Sequence, residues 1–445
     1  MKDVRYHDTL VDPTPEQLIS FSVVCRPKGG YGWAELRRRL KMETLDDCLP
    51  ERKTRTQVVK QLLALGFEVF EDPKKMNPVV SARGTVALFR SVFSAKLKSR
   101  IREFNEGSTS YTVITVIREP ESPAPSPDAI RGAIYIAVAT PPNPMDPRVP
   151  PPLTVGQFSL HFPGDIAQLV NAAAVHRHGN TGKGVVVAVL DSGCFRHPYF
   201  IDNDYKITVL VAPDALDPNP LHDSTGHGTR AAANVLACAP DVSLLAVKMG
   251  TSDVVSIVQA VMSTPRPRIL SLSWAHDLVG ETTLPDDLIP LRFTILVALA
   301  LGVTVITAAG NGDIAFPAMM PEVIAVGGMA IDETDTITKW GGSSSFISVI
   351  YPGREVPDFC GFSSEMERPT SPDAAGNVWR SGEGETSAAA PQVAGVAALL
   401  LKKKSTLTHI QIKKALRKFA KTIPVATGRV GDGKLVDALH TWKKI

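Results

Sequence analysis

Four short motifs between Asp191 and Pro391 of this 445-residue chain carry side chains suited to acyl chemistry. Asp191-Ser192-Gly193 sets a carboxylate at the end of an apolar run, and Gly226-His227-Gly228-Thr229 holds an imidazole between two glycines, which leaves room for close approach. Ala308-Ala309-Gly310-Asn311-Gly312 places a side-chain amide just beyond another apolar run. Gly384-Glu385-Thr386-Ser387, followed by Ala388-Ala389-Ala390-Pro391, brings a hydroxyl to the start of a run of small residues. Carboxylate, imidazole and hydroxyl are the parts of an activated nucleophile, and an amide N–H can hold an oxyanion. Each motif alone also has a plainer reading, as a turn residue or a helix N-cap.

The elements around the motifs decide between these readings. Apolar runs at Gly184 to Leu190, Val242 to Val247, Ile269 to Ser273, Val303 to Thr307 and Val323 to Val326 are short and continuous, as in parallel strands covered on both faces. Helical segments at Thr229 to Cys238, Val254 to Met262 and Leu288 to Leu301 fall between them. The expected fold class is therefore α/β, a three-layer domain around a parallel sheet. Ser387 is expected at a helix N-terminus with Pro391 in the first turn, where a missing N–H costs nothing. All four motifs then lie at strand ends or helix starts on one sheet edge, where such folds bind ligands.

The chain order Asp191, His227, Asn311, Ser387 resembles that of the subtilisin (subtilase) family. The similarity covers about residues 165 to 440, with Asn180-Thr181-Gly182-Lys183-Gly184 before the aspartate strand and Pro321-Glu322-Val323-Ile324-Ala325-Val326-Gly327 after the asparagine. It implies a serine endopeptidase in which Ser387 attacks a peptide carbonyl, His227 is the base and Asp191 orients it. Asn311 and the Ser387 N–H would hold the oxyanion. Ser271-Leu272-Ser273-Trp274-Ala275, with Ala309 and Gly310, matches the family's substrate-binding segments. Two residues depart from the pattern: Glu385 stands where the family usually has Gly, and Ala275 ends a strand that usually ends in Gly. Two alternatives share the fold, a peptide-maturing acyl transferase and a silent peptide-binding homologue. The family implies no cofactor for the chemistry; structural calcium is common in it, and no acidic loop here is specific enough to assign.

Before residue 141 the pattern is that of a small α+β domain of ferredoxin-like order. Strands are expected at Leu18 to Pro27, Phe67 to Phe70, Val79-Val80 and Tyr111 to Ile117, with a helix at Thr56 to Leu65 ended by Gly66. A second helix would carry Phe89, Val92, Phe93 and Leu97 on one face. Eleven prolines between Glu119 and Pro152, interrupted by the strand-like Ala129 to Thr140, mark a tether. The expected division is 1–140 prodomain-like, 141–160 proline-rich linker and 161–445 peptidase. The first part resembles protease prodomains, most nearly the sedolisin (kumamolisin) type. This implies that the N-terminal domain is an intramolecular inhibitor of a zymogen, with peptide or protein as the substrate.

A net charge of +3 from 48 basic and 45 acidic residues gives no case for nucleic acid or membrane as partner. The lysines from Lys402 to Lys421 read as a solvated helical face, and the uncharged Phe293 to Gly310, split by Gly302, as a buried helix and strand. Met1 to Pro15 lacks the apolar stretch of a secretory signal. Five cysteines are an odd number without metal-ligand spacing, so the expectation is a cytoplasmic protein with reduced thiols, Cys194 and Cys238 among them. His222 and Asp223 read as loop.

Overall fold

The computed structural model describes residues 8–70, 78–106, 109–140, 143–144, 159–373, 376–383, 385–425 and 429–445. Its centre is a ten-stranded sheet in the order Ile207–Val211, Ser243–Lys248, Val186–Asp191, Ile269–Leu272, Thr304–Ala308, Ile324–Ile331, Phe359–Phe362, Lys434–Leu435, Lys421–Thr422, with Ile337–Lys339 beside Ile324–Ile331. The strands run parallel from Ile207–Val211 to Lys434–Leu435. Their continuous apolar runs are buried on both faces, as a parallel sheet between helices requires.

Two helices on this sheet carry the histidine and serine motifs. The histidine helix is His227–Cys238 and the serine helix is Glu385–Lys403; both are buried almost along their whole length. They can approach because Gly395 has no side chain: a Cβ there would come within 2.6 Å of Cys238 Cβ and Val235 O. The alanine-rich composition of the serine helix thus lets backbone pack on backbone, and Gly395→Leu is expected to unfold the domain. Chemical denaturation of that variant checks this.

The N-terminal sheet has the order Glu68–Val69, Val79–Thr85, Leu18–Cys25, Ala133–Val138, all antiparallel, with the helices Arg52–Ala64 and Val86–Phe93 in the connections. This is the βαββαβ order expected, with one exchange of parts. The stretch 129–140, read as an interruption of the tether, supplies the fourth strand. Tyr111 to Ile117 instead lies in Thr109–Arg118, which pairs with Leu97–Glu106 in a separate sheet. Leu97 does not extend the preceding helix, because Ser94 ends it in the left-handed conformation (φ 51°).

The two sheets' domains meet through Trp33, which stacks on Tyr135 with ring centroids 4.0 Å apart. Trp33 Nε1 donates to Asp286 Oδ2 (3.0 Å) and Tyr135 OH to Asp287 Oδ1 (2.9 Å), while Arg37 and Arg118 pair with Asp286 and Asp287. Ser20 and Thr251 share a hydrogen bond of 2.8 Å.

The basic helical face is not uniformly solvated. Lys413 is drawn in toward Asp358 (3.1 Å) and the carbonyls of Pro321 and Val323, and burial lowers its pKa to about 8. Phe293 to Gly310 forms the end of the helix Ile289–Ala300 and the strand Thr304–Ala308, split at Gly302 (φ +82°). Among the described residues no helix is long and apolar enough to cross a membrane. All five cysteines are buried and unbridged. Burial raises the thiol pKa of Cys194 and Cys238, which keeps them in the unreactive protonated form.

Candidate active site

Asp191 is the last residue of its strand, and a single oxygen of its carboxylate does most of the bonding. Oδ1 lies 2.8 Å from His227 Nδ1 and accepts from Ser192 N (2.8 Å) and Ser192 Oγ (3.2 Å). An ionised carboxylate only accepts, so the proton of the ring is on Nδ1 and the lone pair is left on Nε2. The glycines flanking the histidine make this approach possible. Gly226 turns the chain at φ +69°, and a Cβ on Gly228 would fall 2.1 Å from Gly193 O and 3.1 Å from Asp191 Cβ.

Asp223, read from sequence as loop, fixes the start of the histidine helix. It accepts from Gly226 N (3.0 Å), Thr229 N (2.8 Å), Thr229 Oγ1 (2.6 Å) and Ser192 Oγ (2.7 Å). It thereby satisfies first-turn donors that the helix itself leaves open and ties that turn to the aspartate strand. The signal was present: an aspartate four residues before the histidine, in front of a glycine-flanked helix start.

The His227 pKa is a balance. Burial, the largest influence, lowers it; the charge of Asp191 and its hydrogen bond, assisted by the charge of Glu385, outweigh burial and the opposing Arg230, so the net direction is up.

Ser387 is in the first turn of the serine helix, as expected, but Pro391 is not. It lies in the helix interior, and its missing N–H removes the helical partner of the Ser387 carbonyl four residues earlier. Ser273 Oγ donates to that carbonyl instead, at 3.0 Å. The Ser387 backbone is thus tied to Ser273, at the end of the strand Ile269–Leu272. Among the described residues, neither Ser387 Oγ nor His227 Nε2 makes a hydrogen bond, and both atoms are buried.

Asn311, just past the strand Thr304–Ala308, is clamped at both ends of its amide. Oδ1 accepts from Thr386 N (3.2 Å) and Thr386 Oγ1 (2.7 Å), and Nδ2 donates to Glu385 Oε2 (3.0 Å). Gly310, at φ +110°, donates its N–H to Thr386 Oγ1 (3.3 Å), and Ala309 is buried with its N–H on Val326 O. Glu385 holds a left-handed backbone (φ 52°), at a cost of about 1 kcal/mol for a residue with a Cβ.

The substrate-side segment divides in two. Ser271 and Leu272 are paired on one side with Val189 and Leu190 and on the other with Ile306 and Thr307, so their backbone is used up inside the sheet. Neither residue has backbone open for pairing with a peptide strand. Beyond them Ser273 leads into the strand Trp274–Asp277, where Trp274 Nε1 donates to Leu190 O (3.1 Å) and His276 and Asp277 pair antiparallel with Phe316 and Ala315. Opposite Trp274 and Ala275 lie Pro144 and Asn143, paired antiparallel. Among the described residues no group of three or more His, Cys, Asp or Glu is placed to hold a metal ion.

A parallel α/β sheet with this Asp–His pair, helix-borne serine and asparagine on one edge defines a subtilisin-like hydrolase. The subtilase family profile matches residues 182–434, more than half of the chain, and the chain belongs to the subtilase family of serine endopeptidases, which act on peptides and proteins. It is 32% identical over 285 residues to subtilisin Savinase of Lederbergia lenta, covering 60% of this chain and 94% of that one. To the M-protease of Shouchella clausii (strain KSM-K16) it is 33% identical over 267 residues, 56% of this chain and 63% of the relative. The crystal structure of fervidolysin from Fervidobacterium pennivorans, described as a keratinolytic enzyme related to subtilisin, superposes with a TM-score of 0.58. That alignment covers 100% of this chain and 62% of fervidolysin at 16% identity, a likeness of fold.

Proposed function

We propose that this chain hydrolyses peptide bonds through an acyl-enzyme on Ser387, with His227 as general base and then acid, Asp191 orienting the imidazole, and Asn311 with the Ser387 N–H as oxyanion donors. The observation that carries this reading is the 2.8 Å bond from His227 Nδ1 to Asp191, which leaves Nε2 as a base at the edge where Ser387 and Asn311 also stand. Ser387 attacks the carbonyl, Nε2 takes its proton and returns it to the leaving amine, and water then repeats the sequence on the ester. The substrate would pair as a strand along Trp274 and Ala275, in the place that Asn143–Pro144 holds. No step is routed through a metal or cofactor. Fluorophosphonate should label the full-length chain at Ser387, and absence of labelling would refute the reading. Five buried, unbridged thiols support a reducing, cytoplasmic setting.

The pH profile tests the base. Only neutral imidazole accepts the serine proton, and the His227 pKa is raised, so kcat/KM should fall on acidification around a midpoint above the ordinary imidazole value of about 6.5. An acid limb centred below that value would remove His227 from this role.

We further propose that residues 1–140 are an inhibitory prodomain, 141–160 its linker and 161–445 the peptidase. Pairing of Asn143–Pro144 along Trp274–Ala275 supports this, because it occupies an edge that substrate would use. A tethered inhibitor acts at an effective concentration on the order of millimolar, so weak docking suffices. Reversing the docking charges on the N-terminal side alone, Arg37→Glu with Arg118→Glu, sets like charges against Asp286 and Asp287. Peptide turnover by the full-length variant should rise severalfold, because each partly exposed pair contributes about 1 kcal/mol or less and reversal turns that attraction into repulsion. Unchanged turnover would overturn the inhibitor reading.

A further inference from the structure

We infer that Glu385 is a built-in brake on the oxyanion hole, a carboxylate held against the donor that must stabilise the transition state. The inference rests on the assignment of Asn311 as that donor. Glu385 immediately precedes Thr386 and Ser387, is 4% exposed, and accepts from Asn311 Nδ2 at 3.0 Å. The other end of the same amide is fixed by Thr386 N and Oγ1, so Asn311 cannot turn to escape the carboxylate without breaking two bonds. The amide nitrogen carries a second N–H, so an oxyanion forming 2.7–3.1 Å from Nδ2 would share that nitrogen with the carboxylate and arise close to an existing negative charge, in a site where water screens little.

The surrounding charges show that the carboxylate is felt across the site. Glu385 acts on His227 and on Arg368, a buried guanidinium at the hairpin Glu365–Pro369 and Trp379–Glu383 that also feels Arg230 and Arg380. The buried carboxylate therefore opposes the charge that develops in each turnover, and a substrate that turns Glu385 away from Asn311 is turned over faster. The departure from glycine at this position is what installs the brake.

The test compares full-length Glu385→Gln and Glu385→Gly with wild type, after fluorophosphonate labelling of Ser387 in all three has established the underlying reading. Gln keeps an acceptor for Asn311 and removes the charge; Gly removes both and suits the left-handed backbone. Both variants should raise kcat/KM for a peptide amide, Gly by about tenfold to a hundredfold, up to the lower end of the effect of a single oxyanion donor. A peptide boronate, whose tetrahedral adduct places an oxygen in the hole, should bind tighter by a similar factor. A reduced-amide peptide, which has no carbonyl there, should bind all three alike. If Gly lowers kcat/KM while the fold is intact by circular dichroism, Glu385 positions Asn311 and the brake is overturned; equal rates in all three overturn it as well. If no chain is labelled or active, it is the assignment of Ser387 that fails.

Discussion

Full-length Ser387→Ala and His227→Ala should each lose about 10⁶-fold in turnover, and the double variant should lose little more than either, because nucleophile and base act as one unit. The geometry explains the equality. Without Ser387 no acyl-enzyme forms; without His227 the hydroxyl keeps its proton, since among the described residues Ser387 Oγ has no hydrogen-bond partner that would take it in place of the imidazole. Both substitutions are expected to leave the fold standing: position 387 follows Thr386 into a helix already rich in alanine, and Asp223 rather than His227 holds the first turn of the histidine helix. Single-turnover assays with a peptide ester, alongside fluorophosphonate labelling, measure the loss. Losses that multiply in the double variant would mean that the two residues work independently, and the proposed relay would be wrong.

The parts of this fold that were readable in sequence are those in which local pattern and tertiary role coincide. A continuous apolar run between turn residues has few uses other than a buried parallel strand, and the strands ending at Asp191 and Ala308 were visible for that reason. The four motifs needed the sheet to bring them together, yet their positions at strand ends were already implied by the runs before them. What escaped depends on partners far along the chain. Ala133–Val138 has an ordinary strand pattern, and only its pairing with Leu18–Cys25 shows that it belongs to the first sheet and not to the tether. Ser271 and Leu272 have the same residue types as a substrate strand, and only the neighbours on both sides show their backbone to be spent. Pro391 looked like a first-turn proline because sequence does not show that Ser273 Oγ replaces its missing hydrogen bond. Glu385 was visible as an odd residue beside the nucleophile, but its target was not, since 74 residues separate it from Asn311.

Asp191 gives the second large effect, and its local bonding makes the outcome depend on the substitution. Asp191→Ala should cost about 10⁴-fold in turnover, less than loss of the base itself, because an imidazole without its carboxylate can still accept a proton in the wrong orientation part of the time. Asp191→Asn is the sharper case. Where the acceptor is free to rotate, an amide in place of this carboxylate can present its N–H₂ to the histidine, fix the wrong tautomer and cost as much as deletion. Here Ser192 N donates to the same Oδ1 that contacts His227 Nδ1, at 2.8 Å in each case. An asparagine at 191 would therefore place its carbonyl oxygen at that point, since the opposite flip sets its N–H₂ against the Ser192 N–H. The imidazole keeps its proton on Nδ1, and what is lost is the negative charge that stabilises imidazolium and raises the His227 pKa. Asp191→Asn should then retain at least about tenfold more activity than Asp191→Ala. Its acid limb should move to lower pH, because a raising influence on the histidine has been removed. Measuring kcat/KM against pH for the two variants separates orientation from charge: an asparagine variant as inactive as the alanine one would show that Ser192 does not hold the amide, and an unshifted limb would show that the Asp191 charge does not set the base.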